Sequence, residues 1–311
     1  MDEIELGGSQ LDDLNCRLTV VRDRVRGVAF GHHTGFYLFG RAGTSKTYTV
    51  RKTLDETETK YEYLDGHLTP MGLFDLLATY HDRVIVLDDV SQIFADKKAL
   101  QILLAALGNQ PDDRHTRIVK YRRQGHDQTI RFTGGIIAIS NLELHSQPLL
   151  EALKSRVHYL KYSPTDEQIA ALMMEVAKKG WPSDDPKLSP DQCLEVATFL
   201  IAESQRINSR LDMRMLVDKA FPDYLQHRDG DCEAHWKDLI RTSLEEQMVE
   251  LTHTKAAASS RQAEKEREHD LLREIATMYS DRDDQIAEWI GRTGKSERAF
   301  YRRIKELAPA I

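Results

Sequence analysis

Apolar runs and helical patterns alternate along the chain from about residue 30 to 160. "GFYLFG" (35–40), "YEYLDG" (61–66), "RVIVLDD" (83–89) and "GGIIAISN" (134–141) read as short strands, with "HYLKYS" (158–163) as a fifth candidate. Between them "KTYTVRKTL", "MGLFDLLATY" and "KKALQILLAAL" carry helical periodicity. Strands that are apolar throughout, separated by helices, predict an α/β fold with a parallel sheet sandwiched by helices. From Pro164 to about 250 the strand signal stops. "TDEQIAALMMEVAKKG", "SPDQCLEVATFLIAESQ" and "LDMRMLVDKAF" are amphipathic, with Ser, Thr or Asp near their starts, and predict a helical lid. The expected organisation is an N-terminal helical segment (1–30), an α/β core (31–163), the lid (164–250), a charged helical linker (251–268) and a small all-α module (269–311).

A length of 311 residues suits two or three domains better than one core. The net charge of -7 gives no global sign of a nucleic-acid binder, so any basic surface has to be local. Cys16, Cys193 and Cys232 are far apart, and no Cys or His group has metal-ligand spacing, which argues against a disulfide framework and a zinc site. The start, "MDEIELGGSQ", is acidic, and no run approaches the roughly 18 apolar residues of a membrane span. The expectation is a cytoplasmic protein with no membrane partner.

"GRAGTSKT" (40–47) lies between the first strand and the first core helix. A Gly-rich turn in that context points backbone N–H groups at a phosphate, and the helix N-terminus adds its positive dipole end. The pattern G-x-x-x-x-G-K-[ST] needs a lysine for the β- and γ-phosphates and a hydroxyl for Mg²⁺. Gly40, Gly43, Lys46 and Thr47 fit it, with Thr44 and Ser45 completing the loop; Ser45 stands where glycine is usual. Serine is small enough for the backbone to approach phosphates, at a higher conformational cost than glycine if the dihedral is strained. "VIVLDD" (84–89) is an apolar strand ending in two acids. Asp88 suits the Mg²⁺ shell, and Asp89 suits orienting or deprotonating an attacking water.

These two elements together resemble the AAA+ ATPases. Within that resemblance "GGIIAISN" is similar to the sensor 1 strand, placing Asn141 near the γ-phosphate. "EALKSRVHYL" resembles the family's L-x-S-R segment, which makes Arg156 an arginine finger acting on ATP held by a neighbouring subunit. "NSRLDMRMLVDKA" resembles the sensor 2 helix, with Arg214 the first candidate and Arg210 the second to touch the γ-phosphate. The MoxR type of AAA+ protein also carries a small residue where Ser45 sits. The resemblance spans about 30 to 250 and implies ATP, Mg²⁺ and self-association into a ring, expected to be a hexamer.

Two local features suggest DNA as the target. "RIVKYRRQGHDQTIRF" (117–132) reads as a basic hairpin carrying Arg117, Lys120, Arg122, Arg123 and Arg131. It resembles the pre-sensor 1 hairpin of superfamily 3 and minichromosome-maintenance helicases; a solvated hairpin packed on the next subunit is the alternative. "DDQIAEWIGRTGKSERAFYRRIKEL" (283–307), preceded by "DLLREIATMY", reads as a three-helix helix-turn-helix. Its last helix offers Lys295, Arg298, Arg302 and Arg303 to phosphates and base edges, together with Ser296 and Lys305. The alternative is a small bundle for protein contacts. The loop after the second strand, "GHLTPMG", lacks the aromatic of polypeptide-threading members. The function expected first is an ATP-hydrolysing, DNA-directed motor, initiator or helicase loader. The alternative is a nucleotide-gated remodeller that recruits a protein partner through its last module.

Overall fold

The computed structural model describes residues 2–108, 116–123, 126–144, 147–182, 185 and 187–307; for 2–8, 122–123, 126 and 249–263 it describes the backbone alone. The chain divides into two compact units, Met1–Ile240 and Arg241–Ile311.

The first unit opens with α1 (Asp2–Ala29), followed by β1 (Gly35–Phe39), α2 (Lys46–Glu56), β2 (Tyr61–Asp65), α3 (Pro70–Thr79), β3 (Val84–Asp88), α4 (Ser91–Ala95) and α5 (Lys97–Leu107). A hairpin, β4 (Arg117–Arg123) and β5 (His126–Phe132), precedes β6 (Ile136–Ser140), α6 (Pro148–Lys154) and β7 (His158–Lys161). The five strands foreseen from their apolar runs form one parallel sheet in the order β2-β3-β6-β1-β7. β1, β3 and β6 are buried along their whole length, as central strands covered on both faces should be.

Alternation within these strands builds two cores. Tyr37, Phe39, Ile85, Leu87, Ile136 and Ala138 face the layer of α3, α4, α5 and α6. Phe36, Leu38, Val84, Val86, Ile137 and Ile139 face α1 and α2. Leu14, Leu18, Val21, Val25 and Val28 recur every three or four residues on α1 and supply its buried stripe. Each such side chain contributes roughly 1.5–3 kcal/mol when fully buried.

The hairpin is antiparallel, with Lys120 opposite Thr129 and Arg122 opposite Asp127. Its base belongs to the core: Val119, Ile130 and Phe132 are buried, and Tyr121 packs on Phe74. Arg117, expected among the exposed cations of this hairpin, is instead buried. Its Nε donates to the Ala106 carbonyl at 3.0 Å, its Nη2 donates to the Gly134 carbonyl, and its guanidinium lies over the Phe132 ring. That arginine anchors the hairpin to α5 and to the entry of β6.

The remainder of this unit is helical: α7 (Asp166–Ala177), α8 (Pro190–Arg206), a π-helical turn (Met215–Ala220) and α9 (Phe221–Arg228). Thr165 with Gln168 and Ser189 with Gln192 form capping boxes at the starts of α7 and α8. α10 (Trp236–Met278) then runs without a break, so the boundaries expected at 250 and 268 both fall inside one helix.

In the second unit the end of α10 is joined by α11 (Arg282–Thr293) and α12 (Glu297–Leu307). Asp281 caps α11 by accepting from the backbone of Asp283 and Asp284, and Gly294 ends it in the left-handed conformation. Leu272, Ile275, Trp289 and Phe300 form the small core. Among the described residues no helix is long and apolar enough to cross a membrane. With so few large side chains in this core, Phe300→Ala should cost about 3–5 kcal/mol. Hydrogen exchange should show loss of protection in α11 and α12 while the sheet of the first unit stays protected; equal protection in both units would refute the separate core.

Candidate functional site

The C-terminal ends of β1, β3 and β6 lie side by side, and each releases a polar segment there: residues 40–47, Asp88–Asp89 and Asn141. In open α/β sheets this carboxyl edge is where ligands bind. Lys46 opens α2 and is 6% exposed. Its Nζ donates to the carbonyls of Gly40 (2.8 Å) and Arg41 (2.6 Å) and to Asn141 Oδ1 (3.0 Å). Burial lowers its pKa from 10.5 to about 8, against the opposing pull of Asp89 and Asp88. Arg214 also lowers it, which sets the Arg214 guanidinium within electrostatic reach of Lys46.

Asn141 joins two functional groups. While its Oδ1 accepts from Lys46, its Nδ2 donates to Asp89 Oδ2 at 2.7 Å, and its backbone N–H donates to Asp89 Oδ1 at 3.1 Å. Asp89 itself has a positive φ of 51°, held by its N–H donating to the Ile139 carbonyl. Asp88 is buried, and its Oδ2 accepts from Thr47 Oγ1 at 2.6 Å and from Tyr63 Oη at 2.8 Å.

The loop has the alternating backbone that turns successive N–H groups toward an anion. Gly43 and Ser45 both have positive φ, 68° and 64°. Gly43 meets a second constraint: a Cβ there would land on the Asp212 carboxylate. The segment after α8 is fastened to the loop at this point. Met213 N–H donates to the Gly43 carbonyl at 2.9 Å, Arg41 Nη2 donates to the Leu211 carbonyl at 2.9 Å, and Arg41 Nη1 donates to Asp166 at 2.7 Å. Thr44 Oγ1 closes the loop on the Arg41 carbonyl.

Arg156 lies elsewhere. Its backbone carbonyl accepts from Thr34, the residue ahead of β1, whereas the loop follows the other end of that strand. Five residues of strand separate these ends by roughly 17 Å. The side chain is exposed, with Nη1 donating to the Ala152 carbonyl. Sequence reasoning missed Tyr63, Arg41, Asp166 and Asp212. A charged residue in the second position of the loop was the only available signal, for Arg41; nothing in "YEYLD" distinguishes Tyr63 from a packing residue.

The second unit holds the other candidates. Glu268 is buried and accepts from both Lys295 and Arg303; burial opposes its ionisation, but these two cations outweigh it and hold its pKa below the ordinary value. Arg303 also donates to Glu306, and Arg292 pairs with Glu274 and Glu288. Lys295 and Arg303 therefore act first as internal struts. Arg298, Arg302 and Lys305 are exposed and have no ion pair among the described residues. They share one face of α12 with the half-exposed Tyr301, opposite the buried Phe300. On the hairpin Lys120 and Arg131 are exposed; the side chains of Arg122 and Arg123 lie outside the described residues.

No family model matches this chain. An uncharacterised 36.7 kDa protein of Enterobacteria phage T4, from its nrdC-mobD intergenic region, is 28% identical over 185 residues. The match covers 52% of this chain and 55% of that protein, so the chain spans about half the length of the relative. The structure of C. elegans PCH-2 aligns over 76% of this chain and 69% of that one, at 17% identity and a TM-score of 0.39, too loose a superposition to carry an argument.

Two expectations follow from this geometry. Ser45→Gly removes a left-handed strain of about 1–2 kcal/mol and should raise the melting temperature by roughly 2–4 °C; no rise would mean that Ser45 is unstrained. For Lys46 the folded pKa lies below the unfolded value, so the unfolded chain holds more protons between pH 8 and 10.5. The stability of the wild type relative to Lys46→Met should therefore rise across that window and stay flat below it. Denaturant titrations at pH 7, 9 and 10.5 check this.

Proposed function

We propose that this chain is an ATP hydrolase of the AAA+ type that acts on DNA. ATP and Mg²⁺ bind at the loop 40–47, and hydrolysis is completed between copies in a ring, hexameric by the family resemblance. The observation that carries the reading is the hydrogen-bonded line Lys46–Asn141–Asp89, beside Thr47–Asp88, at the carboxyl ends of three adjacent strands.

The residues fit the proposed ligands. Lys46 is a buried ammonium held by carbonyl oxygens that phosphate oxygens can replace, and the left-handed residues at 43 and 45 shape an anion nest. Thr47 and Asp88 supply hard oxygen donors, and Mg²⁺ is commonly bound by one or two carboxylates plus substrate phosphates. Held by Thr47 and Asp88, Mg²⁺ would supply positive charge to offset the negative charge of the phosphates. Asp89, oriented by Asn141, takes the proton of a water as that water's oxygen bonds to the γ-phosphorus and the bond to the β-phosphate oxygen breaks. Arg214 adds positive charge at the γ-phosphate. Arg156 is some 17 Å from its own chain's loop by strand length, which favours its action as a finger on a neighbour's ATP.

For the DNA target, support comes from the face of α12 that carries Arg298, Tyr301, Arg302 and Lys305. The second unit pairs Lys295, Arg303 and Arg292 with its own acids and, among the described residues, leaves this face without an ion pair, as a phosphate- and base-contacting helix requires. Lys120 and Arg131 give the hairpin a second, weaker claim.

The test is steady-state ATPase activity with and without single- and double-stranded DNA at low and moderate salt. Lys46→Ala should abolish turnover, and Asp89→Asn should retain ATP while turnover drops at least a hundredfold. Arg156→Ala should retain ATP and stall, and mixing it with Lys46→Ala should restore some activity if the sites are shared. Arg298→Ala with Arg302→Ala should remove the DNA-dependent increment. Hydrolysis indifferent to DNA would favour a nucleotide-gated remodeller that recruits a protein through its last module. Failure to bind ATP at all would refute both.

A further inference from the structure

Asp88 is held by more than the loop. Tyr63 stands on β2 opposite Val86 of β3, and its hydroxyl reaches diagonally to Asp88 Oδ2 at 2.8 Å. The ring is clamped from its other side by the Arg51 guanidinium, 5.0 Å from the ring centre, and Arg51 sits on α2, the helix that begins with Lys46 and Thr47. β2, β3 and α2 thus meet through one phenol. Thr47 donates to the same oxygen, Oδ2, and among the described residues no donor reaches Oδ1.

From this arrangement we infer that Tyr63 is the positioning residue of the metal site: it fixes the Asp88 carboxylate so that Oδ1 faces the Mg²⁺ shell. This rests on the ATPase reading above. The chemistry follows from the sharing of one oxygen. The Thr47 hydroxyl can offer its lone pairs to a metal ion while its proton stays on Asp88, and Tyr63 is the second donor to that oxygen, from a different element, that keeps the carboxylate from rotating. A hydrogen-bond partner behind a metal-holding carboxylate commonly changes metal affinity by about 10–100-fold. The phenol has one proton, and the structure places it on Asp88 Oδ2, so Tyr63 acts there as a donor. Arg51 contributes by restraining the ring over α2, so its loss should loosen the same carboxylate without removing the hydroxyl.

The experiment measures binding of a fluorescent ATP analogue in EDTA and across a Mg²⁺ titration, for wild type, Tyr63→Phe and Arg51→Met. The readout is the ratio of Kd without Mg²⁺ to Kd with saturating Mg²⁺, together with the Mg²⁺ midpoint. A general loss of stability, followed by melting of the ligand-free proteins, does not move that ratio. The expected result for Tyr63→Phe is a Mg²⁺ midpoint raised about 10–100-fold and a smaller ratio, with a shift in the same direction but smaller for Arg51→Met. Tight wild-type binding with a Mg²⁺ midpoint unmoved in Tyr63→Phe would overturn the assignment of Tyr63 alone. No analogue binding by wild type under any condition would overturn the nucleotide reading, and the role of Tyr63 with it.

Discussion

The arrangement of the first unit turns on one buried ammonium. Lys46 has almost no solvent, so its charge is tolerable only because the carbonyls of Gly40 and Arg41 and the amide of Asn141 stand in for water. Those groups come from two strands, and they can converge only if β1 and β6 are neighbours in register. The sheet order therefore does electrostatic service as well as packing. Two carboxylates close by, Asp88 and Asp89, compensate part of the burial penalty and are themselves fixed by hydroxyl and amide donors. Any disturbance of one member reaches the others within a bond or two.

The second unit solves a different problem with the same means. Its core contains only a few large side chains, yet it buries Glu268 at the meeting of α10 and α12. Lys295, from the turn before α12, and Arg303, from within α12, satisfy that acid, so an ion-paired strut supplements a small apolar core. The consequence is a division of labour among cations that look alike in the sequence. Some brace the fold, and others face outward from α12.

How much of this was legible in the sequence depends on the kind of information involved. Strand runs, the loop at 40–47, the paired acids and the Asn141 position all announce themselves locally, through apolar periodicity or fixed spacing. The polar, alanine-rich stretch 251–268 was legible as helical, but its continuity with the apolar-periodic residues on both sides, as one helix from Trp236 to Met278, was not. Arg117 was misplaced for a related reason. In a run of cations its burial is decided by the carbonyls of Ala106 and Gly134, which are brought there by tertiary structure. Tyr63, Arg41, Asp166 and Asp212 act across distances of 25 to 170 residues in sequence, which no local pattern encodes.

The loop also carries an unequal tolerance to change. At 45 the left-handed backbone is borne by a residue with a side chain, so several small residues can occupy that place at a modest cost in stability. At 43 the same backbone hand is combined with the Asp212 carboxylate pressed against the α-carbon, and every side chain collides there. Two positions that look interchangeable in a glycine-rich pattern thus differ in their freedom to drift. Among descendants of this gene, variation in the loop should collect at 45, and a change at 43 should survive only alongside a change at 212.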